Sequence, residues 1–339
     1  MSKRKLINTD ENPNHDFCEV LNELSVFERT VENNTFKANA YKKAASAISK
    51  HPTKLTNMQE AMQIPGVGKQ IGLKLEEFLK TGTLEKLNKI KKDDNAAAIT
   101  ELTRVSGIGP TNARKLVTEN NIKTLEDLKK NAHLLNHHQK IGLEYLDEFE
   151  ERIPRSEMLK WNDKLLKYIL KVDIKFSAEL CGSFRRGAET CGDIDILVTH
   201  PLSTAGSPSK KSDPFLNQIV EQLKNDGFIT DVLALGGSKL AAVCKLPDEN
   251  GEVFKHRRLD IRVLPKGQYY FALLYFTGSD LFNKTMRAHA LEQGFTLNEY
   301  SIRPIGSTGV AGEPIPVTSE QEIFEIINYP FKSPKERAA

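Results

Sequence analysis

The sequence predicts an α+β protein in which helical domains come first and a β-rich domain follows. Apolar residues recur at three- and four-residue steps from Asp16 to about Lys91 and again from Ala96 to Glu151, which is the spacing of amphipathic helices. Short runs of β-type residues begin only after Trp161. Because helices and strands are segregated along the chain, a doubly wound α/β fold is not expected.

Length and composition favour a folded protein of several domains. The chain has 339 residues, enough for roughly two to four domains. Hydrophobic residues make up 39% and charged residues 27%, which excludes a wholly disordered chain and a small disulfide-rich scaffold. No apolar run approaches the ~18–20 residues that span a bilayer, so neither a membrane segment nor a secretory leader is expected. Four cysteines lack paired or zinc-type spacing and are expected to be reduced thiols of a cytosolic or nuclear protein: Cys18, Cys181, Cys191 and Cys244.

The first helical block is basic. Residues 29–91 contain twelve Lys and Arg against five acidic residues, in a chain whose formal net charge is only +3. Such an excess suits a polyanionic partner, because neutralised phosphates release counterions, although a solvated helical surface has the same pattern. Ahead of it, Lys3-Arg4-Lys5 is a short hint of a nuclear-import signal. A polar hinge is expected at Lys91–Asn95.

A glycine turn occurs twice in the helical part, as Ile64–Lys69 and again as Val105–Pro110. In both copies one hydrophobic residue separates two glycines at the start of a predicted helix. Glycine permits positive φ and close backbone approach, and the unpaired amides of the next helix form an anion site. Two copies therefore predict two sites that bind DNA phosphates, called phosphate grips here, without preference for a base sequence.

Beyond a helix predicted from Met158 to about Leu170, the pattern changes to strands. Four runs are expected to form them: Ala178–Cys181, Asp195–Val198, Ala241–Cys244 and Leu259–Val263. Pro201–Pro214 has the composition of a loop, and Asp248–Gly251 contains the Asn-Gly signal of a hairpin turn. After Pro265 the pattern is helical again to Leu291, followed by a mixed segment.

Three carboxylates are expected to converge on this sheet. Asp193 and Asp195 are two residues apart, so on a strand their side chains share one face. Asp260 lies on the polar face of a strand whose other face is apolar. Like charges this close repel unless cations neutralise them, and Mg²⁺ held by few carboxylates plus substrate phosphates is the usual arrangement. Two such ions suit phosphoryl transfer, because one activates a 3′-hydroxyl and the other holds a triphosphate.

A phosphate site is expected next to these acids. The Gly182-Ser183 turn and Arg186 supply amides, a hydroxyl and a guanidinium group for phosphate oxygens. A bare Asp-x-Asp is more often an exposed turn, but this turn, the arginine and the later Asp260 favour a catalytic site.

On these motifs the chain resembles known families. The glycine turns resemble helix-hairpin-helix motifs, and the string from Gly182-Ser183 to Gly192–Asp195 is similar to the signature of the nucleotidyltransferase superfamily. The fuller string Cys181–Asp195, with Tyr275–Asp280 and Met286–Ala290, resembles the family X DNA polymerases of the beta type, over nearly the whole chain. The length leaves no room for the BRCT domain of longer relatives or for a proofreading exonuclease, so neither is expected.

The resemblance implies four domains. They are a helical 5′-deoxyribose-phosphate lyase domain with the first hairpin (1–91), a helical DNA-binding domain with the second hairpin (92–152), a mixed-sheet catalytic palm (153–265) and a C-terminal α/β domain that selects the nucleotide (266–339).

The resemblance also implies roles for individual residues. Asp193 and Asp195 are implied to bind two Mg²⁺ ions, with Mn²⁺ as the alternative. Asp260 is implied to bind the catalytic ion. It is also implied to accept the proton of the primer hydroxyl or to lie next to the group that accepts it. The implied deoxynucleotide-binding residues are Arg152, Ser183, Arg186, Gly192, Tyr275, Phe276, Gly278, Asp280 and Asn283. The implied DNA-binding residues are Lys37, Tyr41, Gly66, Gly68, Lys86, Gly107, Gly109, Arg258, Lys284 and Arg287. Backbone carbonyls implied to hold Na⁺ or K⁺ are those of Met62, Ile64, Val67, Thr103, Val105 and Ile108.

The bend at Tyr275–Gly278 is implied to press its backbone on the 2′ side of the sugar and so to crowd a ribose hydroxyl. Tyr275, Phe276 and Phe282 also have the spacing of plain core residues.

For the basic module the resemblance implies lyase chemistry, with Lys74 as the Schiff-base nucleophile. Such a lysine must be partly neutral, and neighbouring cations lower the pKa of an amine. Two positions depart from the family pattern: Phe36 stands where the family usually has His, and Gln70 where it usually has Lys. Both changes weaken the expected pocket for the 5′-phosphate.

The function implied is template-directed filling of short DNA gaps in base excision repair, with an associated lyase. The implied partners are gapped or nicked double-stranded DNA, deoxynucleoside triphosphates and repair scaffold, ligase and endonuclease proteins, for a monomer located in the nucleus and also the cytoplasm. Two alternatives stay open. One is a nucleotidyltransferase that works on RNA or without a template, and the other is a non-catalytic scaffold that binds DNA ends.

Overall fold

The computed structural model describes residues 12–91, 93–203, 213–248, 251–307 and 309–338. Contacts divide the chain into two compact units, Met1–Glu144 and Tyr145–Ala339. Several expected features lie outside the described residues, namely Lys3-Arg4-Lys5, Lys92 of the hinge, most of the loop Pro201–Pro214 and Glu249-Asn250 of the expected turn. Within the described ranges, no helix is long and apolar enough to cross a membrane.

The first unit is helical where it is described. Its helices are α1 (His15–Thr30), α2 (Thr35–Ser49), α3 (Met58–Met62), α4 (Lys69–Thr81), α5 (Glu85–Lys91), α6 (Asp94–Leu102), α7 (Pro110–Asn120), α8 (Leu125–Lys130) and α9 (His137–Glu144).

Side-chain caps and a shared apolar core fix these helices. Asn34 accepts the amide of Lys37 at the start of α2, and Asp93 accepts two amides at the start of α6, so the expected hinge contains a helix cap. A core built mainly from α1, α2 and α4 buries Leu21, Leu24 and other apolar residues of this unit. Burial of such side chains contributes about 1.5–3 kcal/mol each and is the main source of helix stability here.

The second unit contains both helices and strands. Its elements are α10 (Leu146–Glu150), β1 (Ile153–Pro154), α11 (Arg155–Val172), β2 (Ser177–Leu180), α12 (Gly182–Arg185), β3 (Thr190–Cys191), β4 (Ile194–His200), α13 (Pro214–Asn225), β5 (Ile229–Leu235), β6 (Lys239–Cys244), β7 (Arg257–Pro265), α14 (Tyr269–Thr277), α15 (Asp280–Glu292), β8 (Phe295–Leu297), β9 (Ile302–Pro304) and α16 (Glu320–Ile326).

A five-stranded mixed sheet in the order β2-β4-β7-β6-β5 forms the centre of this unit. Strands β4 and β7 are parallel, and the other neighbouring pairs are antiparallel. Alternate residues of β4 and β7, such as Ile196 and Ile261, pack on one face in a core with α11 and α13. On the opposite face Leu197 and Leu264 pack against α14. The acidic residues of β4 and β7 lie on this second face, because side chains alternate along a strand.

The predicted α+β class is confirmed, and all four predicted strands are present, with bounds that differ by at most two residues. The helix predicted from Met158 is α11, which begins three residues earlier. The helical region predicted after Pro265 is divided at Gly278 into α14 and α15. Strands β6 and β7, which flank the expected turn at Asp248–Gly251, form an antiparallel pair with Cys244 opposite Arg257.

Candidate active site

Parallel pairing of β4 and β7 brings two of the three predicted carboxylates together. Asp195 and Asp260 are direct partners in the register of these strands. Strand β4 begins at Ile194, so Asp193 lies one residue before the strand and not on it as predicted. Asp193 and Asp260 nevertheless both lie close enough to Asp195 for their charges to raise its pKa.

The negative charges of this acidic cluster are only partly neutralised by neighbouring cations. Burial, followed by the neighbouring charges of Asp193 and Asp260, raises the pKa of Asp195 to about 7. Two side-chain cations oppose this: Arg258 is paired with Asp193, and Lys239 Nζ lies 3.0 Å from Asp260 Oδ1. Lysine and arginine thus supply part of the counter-charge that was expected from metal ions alone.

The donor set fits a divalent cation, although it is not closed around one. Among the described residues, no three acidic, His or Cys side chains form a ready-made metal cage. Asp260 Oδ1 is nevertheless buried and makes no well-directed hydrogen bond within the described part of the chain. It borders a cavity of about 100 Å³ lined also by Asp195, Lys239, Arg262 and Phe276. Carboxylate oxygens are the ligands that Mg²⁺ prefers, and these two carboxylates face the same cavity.

The predicted phosphate turn lies directly against these acids. Gly182 has φ of +58°, and a Cβ atom there would lie 2.7 Å from Asp195 Oδ2, so a larger side chain does not fit. Ser183 follows on the short helix α12, and the Arg186 guanidinium donates to the carbonyl of Thr277 at 2.6 Å. A Cβ atom on Gly192 would lie 3.2 Å from Arg152 Nη1.

Arg152 also donates to the Thr190 hydroxyl at 3.1 Å and to the Thr190 carbonyl at 2.6 Å. The structure therefore places Gly182 of this turn against Asp195, brings Arg186 within electrostatic reach of the same carboxylate, and holds Arg152 against the segment that leads to Asp193.

The predicted nucleotide-selecting residues surround the bend between α14 and α15. Phe276 lines the carboxylate cavity, and Gly278 at the bend has φ of +67°. The Asn283 amide donates to the Tyr275 carbonyl at 2.7 Å, so this asparagine is fixed next to the aromatic pair. Asp280 forms an i,i+4 ion pair with Lys284 at 2.8 Å. The guanidinium of Arg287 lies 5.0 Å from the ring centre of Tyr275 and also contacts Glu299.

The predicted lyase residues form a second cluster, in the first unit. Burial, followed by the positive charge of Lys86, lowers the pKa of Lys74, and Lys37 adds a smaller effect in the same direction. Burial also raises the pKa of Tyr41, which interacts with Lys86 and Glu28. Glu28 is buried and pairs with Lys86 at 2.5 Å.

Sequence reasoning missed Glu28, Lys239 and Glu320, a residue of α16 that pairs with Arg185 at 2.7 Å. Each is a single charged residue within an ordinary helix or strand pattern, so only the partner across the fold marks it as important.

The two glycine turns have the same geometry. Gly66 and Gly107 have φ of +93° and +89°, and each following helix, α4 or α7, is capped by the second glycine, Gly68 or Gly109. The amide of Val67 donates to the carbonyl of Ile64 at 3.0 Å. Ile108 and Val105 form the same 3.0 Å bond in the second turn, so the predicted repeat is a structural repeat. Met62 and Thr103 end the preceding part of each hairpin, at the end of α3 and just after α6.

Comparison with known protein families identifies the same segments. Residues 152–266 match the DNA polymerase beta palm and residues 272–338 the DNA polymerase beta thumb. In the first unit, residues 12–84 match a helix-hairpin-helix domain and residues 58–116 a SAM-like helix-hairpin-helix tandem. Residues 100–150 match the fingers domain of DNA polymerase lambda. The chain belongs to the family X DNA polymerases.

Two relatives show the extent of the similarity to this family. DNA polymerase lambda of Rattus norvegicus is 33% identical over 318 residues, which cover 91% of this chain and 53% of that protein. DNA polymerase lambda of Arabidopsis thaliana is 32% identical over 315 residues, which cover 88% of this chain and 57% of that protein. The chain thus spans a little over half the length of these relatives.

Proposed function

We propose that this family X member is a template-directed DNA polymerase that fills short gaps during base excision repair. One observation carries the proposal: Asp195 lies opposite Asp260 on adjacent parallel strands, with Asp193 one residue before the first, inside the segment that matches a polymerase palm. Two Mg²⁺ ions, or Mn²⁺ in their place, would act when bound as Lewis acids toward the phosphate and the primer hydroxyl.

Residues of the chain bind the nucleotide, accept the proton and contact the base pair. The α12 turn with Ser183 and Arg186 binds the β- and γ-phosphates, since it offers a hydroxyl, amides and a guanidinium group next to the carboxylates. Asp260, whose buried Oδ1 makes no well-directed hydrogen bond within the described residues, accepts the proton of the primer hydroxyl or lies beside its acceptor. Asn283 and Arg287, fixed around Tyr275, contact the nascent base pair and the template side. Lys284 lies on the same helix and contributes to the template side.

The first prediction tests the polymerase itself. Asp260→Asn keeps the shape of the side chain but removes its charge, so single-nucleotide extension on gapped DNA should fall by at least about a hundredfold. Asp231→Asn, on β5 at the edge of the same sheet, is the matched control and should retain activity.

The assay uses a one-nucleotide gap with a 5′-phosphate, with templated and untemplated primers compared in parallel. Equal extension without a template would favour the template-independent alternative. DNA binding without any nucleotide incorporation would favour the scaffold alternative. Full activity of the Asp260 variant would contradict the proposed metal site.

We propose further that the first unit carries a 5′-deoxyribose-phosphate lyase. The Lys74 amine adds to the C1′ aldehyde of the opened sugar with loss of water, which forms a Schiff base. Loss of the C2′ proton then breaks the C3′–O bond and releases the 5′-phosphate of the downstream strand. The lowered pKa of Lys74, next to Lys86 and Lys37, supports this role.

The second prediction tests this amine. Borohydride should trap a covalent DNA adduct with the native chain and not with Lys74→Ala. Lys80→Ala is the control, because Lys80 lies on the same helix, is exposed and pairs with Glu76 at 2.9 Å. An undiminished adduct with the Lys74 variant would assign the nucleophile to another residue.

The proposed function also sets the partners and location. We propose gapped or nicked double-stranded DNA and deoxynucleoside triphosphates as substrates, with Na⁺ or K⁺ held at the hairpin carbonyls. Repair scaffold, ligase and endonuclease proteins are the proposed partners of a monomer located in the nucleus and also the cytoplasm.

A further inference from the structure

The bend Thr277–Ser279 directly follows a residue that lines the carboxylate cavity. Phe276, the residue before it, lines that cavity together with Asp195 and Asp260. A nucleotide whose outer phosphates lie on the α12 turn, and whose reacting phosphorus lies at the carboxylates, must place its sugar beside this bend. The position of the bend therefore decides how much room the 2′ side of the sugar has.

Three hydrogen bonds hold the bend from outside. Arg185 Nη1 donates to the hydroxyl of Thr277 at 2.8 Å, and Arg186 Nη1 donates to the carbonyl of the same residue at 2.6 Å. On the other side of Gly278, the amide of Ser279 donates to the carbonyl of Arg337 at 3.2 Å. Thr277 is fully buried, so its bonds to the arginines are shielded from water.

One carboxylate joins the two sides. Glu320 Oε2 accepts from Arg185 Nη2 at 2.7 Å, and Glu320 Oε1 accepts from Arg337 Nη1 at 2.6 Å. The side chain of Arg337 is 0% exposed, that of Glu320 10% and that of Arg185 16%, so this triad is largely removed from solvent. Arg185, Glu320, Arg337, Ser279 and Thr277 thus form a closed ring of contacts around the bend.

We infer that Glu320 is a positioning residue for discrimination between deoxyribose and ribose, an inference that rests on the proposed polymerase function. Without its carboxylate, the buried Arg337 guanidinium loses its paired counter-charge, and Arg185 keeps only its pair with Glu179, so both guanidinium groups shift from their present positions. That movement releases Thr277 on one side of Gly278 and Ser279 on the other. A 2′-hydroxyl adds a single oxygen atom, so a shift of about 1 Å in the backbone is enough to admit it.

The test compares incorporation of a deoxynucleotide with that of the matching ribonucleotide on a one-nucleotide gap. In Glu320→Gln the ratio of the two kcat/KM values should fall by at least about fivefold, with the loss of discrimination in the KM of the ribonucleotide. Glu325→Gln is the matched control: it lies on the same helix and contacts Gln321 at 2.7 Å, away from the ring. Its ratio should equal that of the native chain.

Binding and folding are measured beside activity. On a dideoxy-terminated primer, the ratio of the dissociation constants for the two nucleotides should change in the same direction as the kinetic ratio. Because Glu320→Gln could unfold this unit, Thr277→Val serves as a second variant that removes only the hydroxyl that Arg185 holds. It should also lower the ratio.

Two outcomes would overturn the inference. A folded Glu320→Gln or Thr277→Val variant could have kcat/KM values lowered by the same factor for both nucleotides. That result would show a merely structural role. A native chain that does not discriminate between the sugars would also refute it. Failure of the native chain to incorporate any deoxynucleotide would instead refute the proposed function on which the inference rests.

Discussion

At the scale of single residues, the candidate active site is a balance of opposite charges. Asp193 and Asp260 each have a cationic side chain beside them, Arg258 and Lys239, whereas Asp195 is more buried and its pKa is raised to about 7. These cations make the cluster tolerable when no metal is bound. They must also give way if an ion is to reach both Asp195 and Asp260.

The third prediction concerns Lys239. Replacing it in Lys239→Gln removes the charge beside Asp260, so the DNA-free protein should lose about 0.2–1 kcal/mol of stability in chelator. The same change leaves the carboxylates less neutralised, so Mn²⁺ should bind more tightly and raise the melting temperature by more than in the native chain. Thermal unfolding with and without Mn²⁺ measures both effects.

Lys245→Gln is the control, because Lys245 pairs with Asp248 at 3.4 Å and not with the carboxylate cluster. An equal response to Mn²⁺ in the native chain and in Lys239→Gln would show that Lys239 does not compete with the ion.

The fourth prediction follows from the lowered pKa of Lys74. Only the neutral amine attacks an aldehyde, so the pH midpoint of borohydride trapping should lie below the ~10.4 of an ordinary lysine. Lys86 has the largest effect of the neighbouring charges, and Lys86→Gln should move the midpoint to higher pH and reduce trapping near neutral pH. Lys89→Gln, which removes the exposed partner of Glu85, should leave the midpoint unchanged. A midpoint unaffected by Lys86→Gln would show that the charge of Lys86 does not lower the pKa of Lys74.

The residues of the site could be predicted from sequence only where they belong to a pattern. The three acidic residues were predicted from the Asp193-x-Asp195 spacing and from the alternation of polar and apolar residues around Asp260. Lys74 was predicted from the family resemblance. Lys239, Glu28 and Glu320 have no such pattern, because each is defined by a partner distant in sequence. Their importance follows from tertiary pairing, which single-sequence periodicity does not encode.

At the scale of elements, strand prediction succeeded where one face is buried. Strand β7 alternates between core and polar positions along its length, so its pattern in the sequence is clear. Strand β5, which was not predicted, lies at the edge of the sheet and is half-exposed, and its pairing with β6 contains two register shifts. Bulges and exposure remove the alternation on which such a prediction depends. The short pair β8 and β9 has only three residues in each strand.

The fifth prediction tests the packing of a helix on the second glycine turn. A Cβ atom on Gly142 of α9 would lie 2.1 Å from the carbonyl oxygen of Ser106, next to Gly107 of the turn. Gly142→Ala should therefore force the helix and turn apart and destabilise this unit by about 1–3 kcal/mol. Denaturant unfolding measures the loss. Gly109→Ala is the control, since nothing lies within 4 Å of a Cβ atom there, and it should cost less.

At the scale of the whole molecule, the proposed polymerase site and the two glycine turns proposed to bind phosphates lie in different units. Each has its own hydrophobic core, around Leu21 and Leu24 in the first and around Trp161 and Ile261 in the second. The second unit contains the three carboxylates, the turn at Gly182-Ser183 and the bend Thr277–Ser279. The basic segment 29–91 and both glycine turns belong to the first. This division predicts that the two functions can be separated by cutting the chain.

The last prediction tests that division with a fragment of residues 145–339. Because its core is self-contained, the fragment should unfold cooperatively and retain metal-dependent, templated extension when DNA is supplied in excess. It lacks the basic segment and both phosphate grips, so its KM for gapped DNA should be at least about tenfold higher near physiological salt. Its affinity should also fall less steeply with salt than that of the full chain, because fewer counterions are released on binding. Equal salt slopes for the fragment and the full chain would show that the first unit contributes no phosphate contacts, and its basic segment would then be a solvated surface.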